Sequence, residues 1–247
     1  MATGQDLFNK GLLCRGQNYI LNIPPVPKND NAYNGPWNCS EFVSWAVYQV
    51  SVPGRLYGCD DDNGNPANER AYSGDWKLDA EGRIAGSKII TVTEAGRTPG
   101  AAILRVPSIE TNGQLIGHVV ISDGNGGTME ARGAAYGVNT FQINGNRRWD
   151  YGILIPWITY TINPASTFTY IPPQVTVYRL SNPMMVSETV GKIQTALSAK
   201  GFSPQGIDNI YGVNTMNAVF AFQAANKLVC DGEVGVETAK ALGVVLN

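Results

Sequence analysis

Apolar residues recur at helical spacing in the stretch NCSEFVSWAVYQV, where Phe42, Val43, Ala46, Val47 and Val50 fall on one stripe. The pattern predicts a helix opening at Cys39, with Asn38 as its N-cap and Glu41 completing an Asn-x-x-Glu capping pattern. Farther on, HVVIS alternates as a strand, with His118, Val120 and Ser122 on one face and Val119 and Ile121 on the other. Asp123 to Gly127 reads as a turn and Thr128 to Arg132 as the returning strand. A hairpin centred near Asn125 puts the even-numbered residues of both strands on one face, so that His118 and Val120 lie beside Glu130 and Arg132. A shift of half a register would separate them.

The C-terminal pattern is different. From about Ser187, Val190, Ile193, Ala196 and Leu197 mark an amphipathic helix that Gly201 can terminate. An internal repeat follows: DNIYGVNT (208–215) is echoed by DGEVGVET (231–238), with Thr215 and Thr238 expected to begin helices. The segment 158–183, rich in Thr, Pro and Tyr, disfavours helix and reads as a semi-rigid tether.

Cys39 in a first helical turn would meet unpaired backbone N–H groups and the helix dipole, a setting that favours a thiolate. The plain alternative is a small buried residue at a helix start. His118 is the only histidine in the chain, so an imidazole base has a single candidate. A carboxylate beside it, Glu130, can orient the ring and stabilise the imidazolium. The alternative there is a strand histidine next to an ordinary ion pair.

These residues carry a resemblance. Asn38-Cys39-Ser40, Gly117-His118-Val119, Gly124-Asn125-Gly126 and Met129-Glu130-Ala131 occur in the order found in the NlpC/P60 cysteine peptidases. Gly16-Gln17-Asn18-Tyr19 and Pro99-Gly100-Ala101 resemble further motifs of that family. The resemblance covers roughly residues 10 to 157 and implies a papain-like α+β core, with the nucleophile on a helix packed against an antiparallel sheet. It assigns Cys39 as nucleophile, His118 as general base, Glu130 as the third, orienting residue, and Tyr19 and Ser40 as substrate-binding residues. Two positions depart from the family: the third residue is usually His, Asn or Gln, and the residue before the nucleophile is usually Asp. The repeat, with Ile193-Gln194, Leu197, Gly201-Phe202 and Ala221-Phe222-Gln223, resembles the type 1 peptidoglycan-binding domain over about residues 184 to 244. This implies a small three-helix, wall-anchoring module, in which the turn carrying Asp208, Ile210 and Tyr211 is the expected contact with the polymer, the alternative for Tyr211 being a place in the core.

The expected organisation is therefore a catalytic domain at 1–157, a tether at 158–183 that raises the local concentration of enzyme on bound wall, and a binding domain at 184–247. The expected activity is hydrolysis of a stem-peptide amide by a Cys-His-Glu thiol mechanism, foremost as a D-glutamyl–diamino acid endopeptidase. The alternatives are an N-acetylmuramoyl-L-alanine amidase, an inactive wall-binding protein, and transfer or deamidation on a protein substrate.

Composition changes this picture little. The chain has 247 residues, 43% hydrophobic and 15% charged, with 28 Gly and a formal charge of −2. That charge argues against nucleic acid as the main partner, since phosphate binding calls for a basic surface, and no segment is long and apolar enough to span a membrane. One histidine and no HExxH pattern argue against a zinc site, and no phosphate- or dinucleotide-binding motif is present, so no cofactor is expected. Cys14, Cys39, Cys59 and Cys230 show no CxxC pairing and are expected to be mainly free thiols, with a Cys14–Cys59 bridge as the alternative after export. The first residues lack the basic and apolar regions of a secretory signal. The expectation is cytoplasmic synthesis and action at the wall after holin release or injection, with peptidoglycan as partner and a phage or injection-system apparatus, or an immunity protein, as companions. Arg147, Arg148, Trp149 and Trp157 either shape a groove or complete the core, the latter being the expected role of the tryptophans.

Overall fold

The first helix, α1 (Gly4–Leu12), begins at Thr3, whose hydroxyl and Asp6 form a reciprocal capping box. The stripe after Asn38 forms α2 (Cys39–Val50), buried through its first nine residues. Asn38 Oδ1 accepts the Glu41 N–H at 2.8 Å. Glu41 does not close the expected box. Its buried carboxylate instead accepts from Lys28 Nζ, the Val26 N–H (3.3 Å) and the Ala71 N–H (3.1 Å). Lys28, equally buried, also donates to the Glu69 carbonyl at 2.6 Å. Residues 1–107, 110–111, 114–115, 117–144, 147–172 and 177–246 are described by this computed structural model.

After α2 come α3 (Ser73–Leu78), a wide helical turn over Asp79–Arg83, β1 (Lys88–Ile90), α4 (Val92–Gly96), β2 (Ala102–Arg105), β3 (Glu110–Thr111) and β4 (Gln114–Leu115). The remaining strands are β5 (His118–Ser122), β6 (Gly127–Gly133), β7 (Gly137–Gln142) and β8 (Tyr151–Leu154). Six of them form an antiparallel sheet in the order β1-β8-β2-β5-β6-β7, and β3 pairs with β4. Ile121 pairs with Met129 and Ser122 with Thr128, a register centred on Asn125. On one face Val119, Ile121, Met129 and Ala131 pack with Leu7 of α1 and with Phe42, Val43 and Ala46 of α2. On the other, Ile103 and Val120 pack with Val92 and Ala95 of α4 and with Trp149. The central strand β5 is consequently buried on both sides. Gly100 leads into β2 with φ +76°, and a Cβ there would collide with the backbone of Gly4, so glycine is what allows α1 to approach.

The segment expected to be a tether divides between the two units, and at its far end Tyr178 is buried in the second unit and exchanges backbone hydrogen bonds with Val234. Residues 158–172 belong to the first unit, which comprises 1–107 and 117–172. Phe168 and Tyr170 pack on the Val92, Val120 and Trp149 cluster, the Tyr170 hydroxyl accepts the Trp149 N–H at 2.9 Å, and the Tyr160 hydroxyl accepts the Ile155 N–H at 3.2 Å. Pro and Thr exclude helix here without excluding packing, because the intervening aromatics find apolar surface to cover. Residues 173–176 lie outside the described residues.

In the second unit three helices, α5 (Glu188–Ala199), α6 (Val213–Ala225) and α7 (Val236–Leu242), surround Val190, Ile193, Leu197, Tyr211, Val219, Phe222 and Leu242. The repeat is structural as well as sequential. Gln194 Nε2 donates to Asp208 Oδ1 (2.7 Å), the Ile210 carbonyl (3.1 Å) and Thr215 Oγ1 (2.9 Å), while its Oε1 accepts the N–H groups of Asp208 and Asn209. Gln223 does the same with Asp231, the Glu233 carbonyl and Thr238, and accepts from Asp231 and Gly232. The helices start earlier than expected, with Gly212 and Gly235 as N-caps. Thr215 and Thr238 sit inside the first turns, where their hydroxyls serve the glutamines.

Removing one partner of a buried ion pair strands the other charge, at a cost of about 3–5 kcal/mol. Glu41→Ala is expected to lower stability by that amount in urea unfolding of the full chain, and the paired Lys28→Met/Glu41→Leu change by much less. Equal losses in both proteins would contradict this assignment.

Candidate active site

Three elements bring the sequence-predicted residues together. Cys39 occupies the first position of α2, one residue after its cap, and His118 opens β5. Glu130 lies on β6 opposite Val120, on the His118 face, as the Ile121–Met129 register requires. His118 Nε2 and Glu130 Oε2 are 2.6 Å apart, and both side chains are almost fully buried. The other nitrogen, Nδ1, is left for the thiol. Trp149 lies beside the imidazole, with ring centroids 5.8 Å apart and planes tilted by 33°. Ser40 Oγ is 3.8 Å from the Cys39 sulfur.

Burial pushes the Cys39 thiol up, but the charge and hydrogen bond of His118, aided by Ser40 and the Val119 backbone, overcome it and leave the pKa lowered to about 7. The other three thiols have no such neighbour. Burial raises Cys14 and Cys230 to about 11 and Cys59 to about 12. All four cysteines are free, with Cys14 and Cys59 in separate apolar clusters, so the alternative bridge between them is not formed. Cys39 is the one thiol poised to ionise near neutrality.

Glu130 is held as an anion. Burial pushes its carboxyl up, and the charge of Arg147, the hydrogen bond and charge of His118, and the charge of Arg132 bring it down to about 2. Its Oε1 accepts from Thr128 Oγ1 at 2.9 Å, while Oε2 accepts from both His118 and Arg147 Nη1, the latter at 2.9 Å. Sequence reasoning assigned Arg147 only to a groove or a core. It lies on the irregular segment after β7, where no periodicity indicates direction. Trp149 and Trp157 pack in or against the core, as expected of them.

Tyr19 is half-buried and forms a parallel bridge with Trp37, two residues before the thiol. The Trp37 N–H donates to the Asn18 carbonyl at 3.0 Å and the Ile20 N–H to the Trp37 carbonyl at 2.9 Å. The loop carrying Tyr19 is thus fastened to the strand-like approach to α2. Among the described residues, no group of three or more His, Cys, Asp or Glu side chains is arranged to hold a metal ion, and no helix is long and apolar enough to cross a membrane.

Of the residues expected to meet the polymer, Tyr211 takes its alternative place in the core. Tyr211 is not an exposed aromatic: it is fully buried, and its hydroxyl donates to the Gly232 carbonyl at 2.9 Å. Asp208 is exposed, but its Oδ1 is committed to Gln194 and to the Ile210 N–H at 2.9 Å, a turn-building role. An open groove of about 790 Å³ lies elsewhere in this unit, lined by Glu188, Lys192, Thr195, Ile207, Asn209 and Val245 among others.

Comparison with known proteins finds partial matches. Two proteins of Bacillus licheniformis match part of the chain. A probable N-acetylmuramoyl-L-alanine amidase is 42% identical over 76 residues, 28% of this chain and 22% of that protein. The N-acetylmuramoyl-L-alanine amidase CwlL is 38% identical over 77 residues, 29% of this chain and 21% of that protein. The chain thus spans about a fifth of the length of these relatives. Among solved structures, the NlpC/p60 domain of the peptidoglycan hydrolase SagA aligns with 62% of this chain and 100% of its own, at 18% identity and a TM-score of 0.42. The P60 domain of an antigen from M. avium subspecies paratuberculosis aligns with 63% of this chain and 92% of its own, at 21% identity and a TM-score of 0.36. Residues 186–242, within the second unit, match the family described as "Putative peptidoglycan binding domain".

Proposed function

We propose that the chain is a peptidoglycan hydrolase that cleaves an amide bond of the stem peptide through Cys39, with its second unit holding the enzyme on the wall. The observation that carries this reading is a thiol with a pKa of about 7 beside an imidazole anchored by an ionised carboxylate, in a chain that also has a peptidoglycan-binding domain.

In this mechanism His118 takes the Cys39 proton and the thiolate attacks the carbonyl carbon, forming a C–S bond. Backbone N–H groups at the start of α2 stabilise the oxyanion. The imidazolium then protonates the leaving amine as the C–N bond breaks. Water, deprotonated by His118, releases the acyl group and the thiol is restored. Glu130 keeps the ring oriented and favours its charged form. The motif resemblance favours the bond between D-glutamate and the diamino acid. A muramoyl-L-alanine amidase is the second reading, favoured by the names of the two Bacillus relatives; both reactions are acyl transfers served by one geometry.

Digestion of purified sacculi, with mass spectrometry of the fragments, is expected to yield new termini with the wild-type protein and none with Cys39→Ala. The termini separate endopeptidase from amidase, and equal release by both proteins would exclude the thiol mechanism. The cleavage rate is expected to fall as pH drops below about 7, because the thiolate is then lost. A rate that is flat from pH 5 to 8 would contradict that assignment. With iodoacetamide at pH 7, Cys39 is expected to be carboxamidomethylated well before Cys14, Cys59 and Cys230, as read by peptide mass mapping.

A further inference from the structure

Glu130 Oε2 is a shared acceptor: His118 Nε2 reaches it at 2.6 Å and Arg147 Nη1 at 2.9 Å, with the Arg147 side chain only 9% exposed. From this sharing we infer that Arg147 is a positioning residue for the reaction, which sets the charge that His118 experiences by neutralising Glu130. This inference rests on the thiol mechanism above and deepens it.

The argument is electrostatic. An unneutralised buried carboxylate touching an imidazole binds the imidazolium strongly. That helps to form the thiolate–imidazolium pair, but it makes the imidazolium a poorer acid when the leaving amine needs its proton. A guanidinium on the same oxygen offsets that pull while keeping the carboxylate ionised and fixed. The pair Glu130–Arg147 then presents His118 with a hydrogen-bond acceptor of near-zero net charge. The other charged groups near the site are Cys39 of α2, Arg105 of β2, paired in register with His118, and Arg132 of β6, whose guanidinium lies over Phe141 at 4.4 Å and Tyr136 at 5.1 Å. Arg147 donates to the same oxygen that holds His118, and the charge of Arg132 adds to the offset of Glu130.

The test uses the full chain carrying Arg147→Met, Glu130→Gln, or both. The rate of Cys39 alkylation by iodoacetamide is followed against pH, with circular dichroism to check folding. Arg147→Met leaves Glu130 uncompensated and is expected to move the inflection about one pH unit lower; Glu130→Gln leaves Arg147 uncompensated and is expected to move it about one unit higher. The double variant is expected to return close to wild type. At pH 6, Arg147→Met is also expected to raise alkylation several-fold while lowering sacculus cleavage, a split that mere loss of packing would not produce. If Arg147→Met does not fold, Arg147→Gln, neutral and still able to donate to Glu130, reads the same charge. An inflection unmoved by loss of the guanidinium, or a double variant displaced as far as either single one, would overturn the inference. A wild type that shows the alkylation pattern but releases nothing from sacculi would overturn the hydrolase reading and leave the role of Arg147 intact.

Discussion

The placement of the Cys39 thiol depends on one buried carboxylate. Glu41 lies two residues after Cys39 and gathers the Val26 N–H, the Lys28 ammonium and the Ala71 N–H onto its two oxygens. These groups belong to the loop before α2 and to the long excursion after it, segments with no regular structure to hold them. Burial raises the Glu41 pKa in spite of Lys28, so the site meets a desolvation cost and offsets it with directed hydrogen bonds rather than with charge alone. The return is specificity of arrangement. Both flanks of the thiol are fixed to its own helix, and the first turn of α2 has one position relative to its loops.

A second constraint works across the sheet. β5 is covered on both faces, by α1 and α2 on one side and by α4, Trp149 and Phe168 on the other. His118 at its start is therefore held in a strand buried on both sides, and the hairpin to β6 carries Glu130 at a distance set by register rather than by side-chain chance. Close packing on both sides converts the chemistry of the Asp123–Gly126 turn into a 2.6 Å contact. The thiol comes from a helix and the imidazole from a strand, and their meeting is a property of how these two layers stack.

The parts of this arrangement that follow a period were legible in the sequence. The stripe from Phe42 to Val50 and the alternation HVVIS indicated α2 and β5, and the Gly-rich turn at Asn125 implied the register that joins His118 to Glu130. The duplicated loop indicated the C-terminal helices. What lay outside any period was missed. Lys28 and Arg147 both sit on irregular segments, and their partners are 13 and 17 residues away, a separation no local rule bridges. Pro- and Thr-rich composition suggested a spacer at 158–172, because composition records the absence of helix and not the destination of Phe168 and Tyr170. Tyr211 sat among polar neighbours in a turn and suggested exposure, yet one ring hydroxyl with a carbonyl partner is enough to let a tyrosine join a core.

The paired glutamine clamps have a consequence for how the C-terminal unit holds together. Gln194 on α5 fastens the loop that leads into α6, and Gln223 on α6 fastens the loop that leads into α7. The middle helix is thus the product of one copy and the foundation of the next. Two copies linked in this way cannot melt separately: fraying the first loop loosens the frame on which the second is built. Duplication here has produced an interlocked pair rather than two beads on a string, and an all-or-none module of some sixty residues is what a domain with so small a core needs to stay folded.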